Sequence, residues 1–242
     1  MKTLIFSLIM LLGSLPLKAQ YSLGVSGLLN APSADMHANG TFSFGGNYLP
    51  HVMLPAQFTH NTGNYFLDLT FLPFLEVTYR CTLVKGLDER NESGWQQDRS
   101  VSLKLRLLKE RKFFPAIAFG SNDAFTTYAI NPFEKVKGNR YFSSLYGTIT
   151  KNIPMGKHRL GFTAGYYMPV QDDGPRNGLF GGIRYIPGFF PVMELMAEYD
   201  SKEMNAGISV LLLKHIRMNV FTYGFDNLSA GIRYEFILID HN

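Results

Sequence analysis

The stretch Leu228-Ser229-Ala230-Gly231-Ile232-Arg233-Tyr234-Glu235-Phe236-Ile237-Leu238 separates into two faces when every second residue is taken. Leu228, Ala230, Ile232, Tyr234 and Phe236 fall on one side, and Ser229, Gly231, Arg233 and Glu235 on the other. Side chains alternate across a strand with period two, so this is a β-strand with one apolar and one charged face. A water-soluble sandwich gives the same pattern. A membrane barrel is favoured because the pattern recurs down the chain behind a secretion-type N-terminus, with aromatics at strand ends and scarcely any helical periodicity.

Eleven other segments read in the same way: 41–48, 64–71, 74–83, 99–108, 113–120, 141–151, 158–167, 179–186, 192–200, 204–213 and 215–223. In 74–83, for example, Leu75, Val77, Tyr79 and Cys81 oppose Glu76, Thr78, Arg80 and Thr82. About twelve strands of roughly eight to eleven residues match the length that crosses a bilayer when tilted, in the even number that bacterial barrels show. The expected fold is all-β, a transmembrane up-and-down antiparallel β-barrel. Polar segments 85–98 and 122–139 read as surface loops, and 21–40 as turn-rich chain with a short helical turn over Ser33–His37.

Lys2, the apolar run Leu4–Leu12 and Ala19 before Gln20 form a charged, apolar and small-residue series that reads as a signal peptide over 1–19. The run is too short for a spanning helix, which needs roughly 20 residues, and no later segment reaches 18 consecutive apolar residues. A single barrel domain is expected over 20–242, opening with the loop or helical-turn segment 20–40. Removing Lys2 and Lys18 lowers the formal charge from +4 to about +2, so nucleic acid is not an expected partner. The single cysteine, Cys81, permits neither an internal disulfide nor a zinc pair.

The inferred lumen face carries Glu76, Arg80, Lys104, Arg106, Arg159, Arg184, Glu194, Glu198, Arg217, Arg233 and Glu235. A Lys or Arg facing lipid at mid-depth costs roughly 2–4 kcal/mol, so these residues point inward. They either lock a narrow barrel as an ion-pair network or line a path for a polar ligand, and open pore and plugged barrel both fit the pattern. Glu194 and Glu198 lie about 13 Å apart along one strand, wider than glycosidase carboxylate pairs. No Gly-x-Ser-x-Gly elbow occurs, and the six histidines show no metal-ligand pairing on a strand face, so no catalytic residue, metal or cofactor is expected. Tyr48, Tyr79, Tyr166, Tyr185, Phe189, Phe190, Tyr199, Phe221, Tyr223 and Tyr234 read as interfacial girdles, and Cys81 as a small lipid-facing hydrophobe.

Several blocks occur in one order: Gly27-Leu28-Leu29-Asn30-Ala31-Pro32-Ser33-Ala34 with Asn39-Gly40-Thr41; Asn64-Tyr65-Phe66 through Leu72-Pro73 to Leu75-Glu76-Val77-Thr78-Tyr79-Arg80; Asp98-Arg99-Ser100 leading to Lys104-Arg106; and Pro115 to Gly120 with Asp123. In these the chain resembles the YjbH-like exopolysaccharide biosynthesis and export proteins of Gram-negative outer membranes. It differs in having room for one barrel only, and in Thr126-Thr127 where the family has Gly-Thr. The resemblance implies a non-enzymatic outer-membrane barrel serving cell-surface polysaccharide export, either guiding sugar chains or acting as an accessory. Outer-membrane lipid, polysaccharide and other polysaccharide-secretion proteins are the partners it implies. An outer-membrane enzyme acting on lipid or glycan, and an adhesion barrel using its loops, are the rival classes.

Overall fold

The computed structural model describes residues 21–87, 93–127, 129–136, 139–172 and 174–238, so the expected signal peptide at 1–19 lies outside the described residues. The alternating segments form twelve strands among the described residues: β1 (Thr41–Leu49), β2 (Thr62–Leu72), β3 (Leu75–Leu87), β4 (Ser93–Leu108), β5 (Ala116–Phe125), β6 (Ser144–Met155), β7 (His158–Pro169), β8 (Gly178–Ile186), β9 (Met193–Tyr199), β10 (Met204–Leu212), β11 (Ile216–Tyr223) and β12 (Asn227–Ile237). Each pairs antiparallel with its sequence neighbour. β12 closes the circle on β1, from Thr41 opposite Ile237 to Tyr48 opposite Ala230.

The direction of the two faces decides between sandwich and membrane barrel. Outward positions carry Phe44, Leu67, Leu105, Phe119, Ile149, Phe162, Ile183, Val220 and Ile232, all substantially exposed, while Ser43, Asp68, Thr78, Arg80, Lys104, Ser209 and Arg233 are buried inside. A soluble protein turns its polar face to water. Here the polar face is enclosed and the apolar face is outermost, so the fold is a transmembrane up-and-down barrel. No described helix is long and apolar enough to cross a membrane, and the crossing is made by strands.

One end is closed by tight connections, such as 73–74 and 156–157, and the other carries the longer 50–61 and 126–143. We call these the turn end and the loop end; in bacterial barrels the short turns face the periplasm.

Several expectations are corrected. Of the polar segment 85–98, residues 88–92 lie outside the described residues and the rest is ladder: Lys85 pairs with Trp95 and Gly86 with Gly94, so β3 and β4 continue where a free loop was expected. Asn122 and Asp123 belong to β5 rather than to a surface loop. Residues Ser33–His37 form no helical turn. Phe221 and Tyr223 are buried in the lumen, not in a girdle, because the alternation that puts Arg217 and Asn219 inside continues through them. Cys81 holds its outward position but is buried, flanked in register by Tyr65 and Arg99.

Candidate functional site

The lumen is filled by the chain's own residues 21–40. Tyr21, Leu23, Val25, Leu28 and Leu29 are at most 1% exposed. They pack with Leu49, Met53, Leu54, Phe58, Val84, Phe142, Met196, Phe221 and Tyr223 into one apolar cluster. Further along, Ala31 joins Tyr146, Tyr167 and Phe180, and Ala34 sits against Ala116 and Ala118. The small wall residues leave the room that this segment occupies.

A chain that crosses a lumen without ladder partners must satisfy its backbone groups elsewhere, since each buried unpaired group costs about 1–3 kcal/mol. The segment first folds on itself, with a bridge between Gly27 and Pro32 and a hydrogen bond from Leu28 N to Ala31 O of 2.8 Å. Charged wall residues then meet what remains. Glu198 accepts hydrogen bonds from Leu29 N at 2.9 Å, Asn30 N at 2.5 Å and Asn205 Nδ2 at 3.1 Å. Glu76 accepts from Ser26 N and Ser26 Oγ, both at 2.5 Å. Lys104 Nζ, 3.3 Å from Glu76, donates to Ser26 O at 2.8 Å and Asp35 O at 2.6 Å. Neutral groups complete the set: Asn47 and Asn64 both donate to Ser22 O, and Thr150 Oγ1 accepts from Ala34 N.

Arg184 pairs with Asp35 of the plug, and Arg233 lies 3.1 Å from His37 Nε2. Arg233 also pairs with Glu235 at 2.8 Å, and Arg217 bridges Glu194 at 3.3 Å and Glu235 at 3.7 Å. Of the eleven sequence-derived lumen residues, Glu76, Lys104, Arg184, Glu198 and Arg233 therefore meet the plug. Arg80, Glu194, Arg217 and Glu235 are held by other wall residues. Arg106 and Arg159 occupy lumen positions at the turn-end rim, where Arg106 is half-buried and Arg159 exposed.

Sequence reasoning missed the centre nearer the loop end. Arg80 Nη2 contacts Asp123 Oδ1 at 2.7 Å, Asp98 Oδ2 at 3.1 Å and Ser100 Oγ at 3.1 Å, and its guanidinium lies 4.5 Å over the Phe142 ring. Asp123 has φ of 50° at a register shift between β4 and β5, so a bulge turns its carboxylate inward. Arg140 ties the 126–143 connection over this centre, donating to the carbonyls of Asp123, Asn131, Pro132 and Glu134. Burial holds the Arg140 guanidinium below its ordinary value against the pull of Asp123 and Glu134. Asp98 and Asp123 both fall in the blocks that carry the family resemblance.

Three buried groups, His37, Asp68 and Glu76, bring possible metal-ligand atoms within 4.8 Å of one another. They come from three elements, which strand-face inspection cannot detect. Lys104 beside Glu76 and Arg233 beside His37 already supply positive charge there, so the arrangement acts as an ion-pair junction between plug and wall.

Comparison with solved structures finds outer membrane phospholipases. One is the Salmonella typhi outer membrane phospholipase dimer with bound calcium, at 12% identity and TM-score 0.37 over 82% of this chain and 90% of that one. Another is Escherichia coli outer membrane phospholipase A, at 12% identity and TM-score 0.34 over 85% and 98%. Neither likeness bears on activity. No curated protein matches the chain. The family model described as exopolysaccharide biosynthesis protein YbjH matches residues 19–226, most of the length, and includes the plug, the Arg80 centre and all but the end of the barrel. The chain belongs to the YjbH exopolysaccharide biosynthesis family.

Proposed function

We propose that this protein is a non-enzymatic outer-membrane barrel that assists the export or assembly of a cell-surface polysaccharide, with its lumen closed by its own N-terminal segment. The observation that carries this reading is the complementarity of plug and wall. Glu76, Lys104, Arg184 and Glu198, which could have lined a sugar path, are engaged with Ser26, Leu29, Asn30 and Asp35. The lumen thus serves to hold the plug, and work on polysaccharide falls to the rims and to partner secretion proteins. This favours an accessory over an open conduit. The family match supports the polysaccharide connection.

Deleting the gene in its own host and measuring polysaccharide on the cell surface and in the medium tests the reading. A fall restored by the intact chain is expected. Unchanged polysaccharide in both fractions would overturn it.

A further inference from the structure

At the turn end a cavity of about 500 Å³ opens beside the lumen-side base of the plug. Its wall carries Arg106, Lys109, Arg111, Lys112, Arg159 and Arg184, against the carboxylates of Asp35 and Glu110. Both acids are already engaged. Asp35 pairs with Arg184, and Glu110 takes Lys151 Nζ at 3.2 Å together with Asn152 N and Nδ2, each at 2.8 Å. The side chains of Lys109, Arg111 and Arg159 are exposed and have no hydrogen-bond or ion-pair partner among the described residues. Arg184 is 4% exposed, and its Nη1 lacks a hydrogen-bond partner among the described residues, with Glu194 Oε2 at 3.9 Å. Gathering cations around one concavity costs mutual repulsion unless an anion enters.

We propose that this cavity binds an anionic glycan, one that bears carboxylate groups along its chain. The approach path selects a glycan over the headgroups of the surrounding bilayer. Arg106, Arg159 and Arg184 occupy lumen-facing positions, whereas the outer faces of the same strands carry Leu105, Leu107, Phe162 and Ile183 toward lipid. A ligand therefore enters along the barrel mouth. Arginine forks suit carboxylates in paired geometry, and the flexible lysines of 109–112 add charge that tolerates a repeating polymer. This assignment rests on the reading of the protein as a polysaccharide accessory and adds the sign of the polymer's charge.

The test uses the full chain in phosphatidylcholine nanodiscs, titrated calorimetrically with polygalacturonate and, in parallel, with neutral dextran. Polygalacturonate is expected to bind and to weaken as salt rises, and dextran is expected not to bind. Replacing Lys109→Gln, Arg111→Gln and Arg159→Gln together removes three exposed charges outside the plug contacts and is expected to weaken binding about tenfold. If that variant fails the heat-shift test of a folded barrel, Arg159→Gln alone is expected to weaken binding about twofold to threefold. Equal binding of dextran, no binding of polygalacturonate at low salt, or unchanged affinity in a folded variant would overturn the assignment. So would charge-dependent enrichment of phosphatidylglycerol around the protein in a parallel set of mixed phosphatidylcholine–phosphatidylglycerol nanodiscs when the protein ignores polygalacturonate. A deletion strain that loses polysaccharide while these titrations fail would leave the accessory role standing and remove only the acidic-glycan site.

Discussion

Replacing Glu198→Ala isolates the plug's attachment to the wall. Glu198 is buried and accepts two backbone N–H groups from the plug, Leu29 and Asn30, besides Asn205 from β10. Each buried N–H left without a partner costs about 1–3 kcal/mol, so losing the acceptor of both Leu29 N and Asn30 N weakens attachment by about 3 kcal/mol. At about 1.4 kcal/mol per decade, that is roughly a hundredfold in local opening. Hydrogen exchange followed by mass spectrometry on the barrel in detergent reads it directly. Peptides covering 22–37 should lose about two decades of protection while β3, β4 and β9 keep theirs. Glu198→Gln, which retains one acceptor oxygen, should fall between the variant and the native protein. Unchanged protection of 22–37 in a folded Glu198→Ala barrel would refute the clamp.

Three further perturbations probe separate parts of the account. Arg80→Met leaves Asp98 and Asp123 buried without their shared cation, a loss of about 3–5 kcal/mol, and should lower the temperature at which the folded band disappears on a gel. Gly24→Ala combines φ of 96° with a Cβ only 2.7 Å from Phe66 Cγ, so it should speed exchange in the plug while leaving the wall strands protected. Leu67→Arg puts a charge on the outward face in the middle of β2 and should destabilise folding into vesicles by about 2–4 kcal/mol; an effect near zero would contradict a lipid-facing exterior.

The wall was legible because a strand's period is fixed and each side chain's face follows from parity. Leu228–Leu238 alone gives β12 to within one residue of its ends. Parity also carried Phe221 and Tyr223 inside, and assigning them to a girdle from their place near a strand end overruled the stronger signal. The plug was not legible as a plug. Residues 21–40 have no period, and their contacts are with Glu76, Lys104 and Glu198 at separations of 50 to 169 residues. Charge on the lumen face announced that something polar was enclosed, but the same charge suits a water-filled path. Asp123 was hidden for a local reason: a bulge breaks the alternation that parity reads. The stretches 85–87 and 93–98 misled through their polarity, which does not mark the absence of strand pairing.

The central claim is that the lumen is closed by the chain's own N-terminal segment, and conductance across a planar bilayer tests it most directly. The purified, heat-shifting barrel should insert without opening a steady pore, and a variant combining Glu76→Ala with Glu198→Ala should flicker between closed and conducting levels as the plug loosens. A stable open pore in the native protein, unchanged in that variant, would contradict the account.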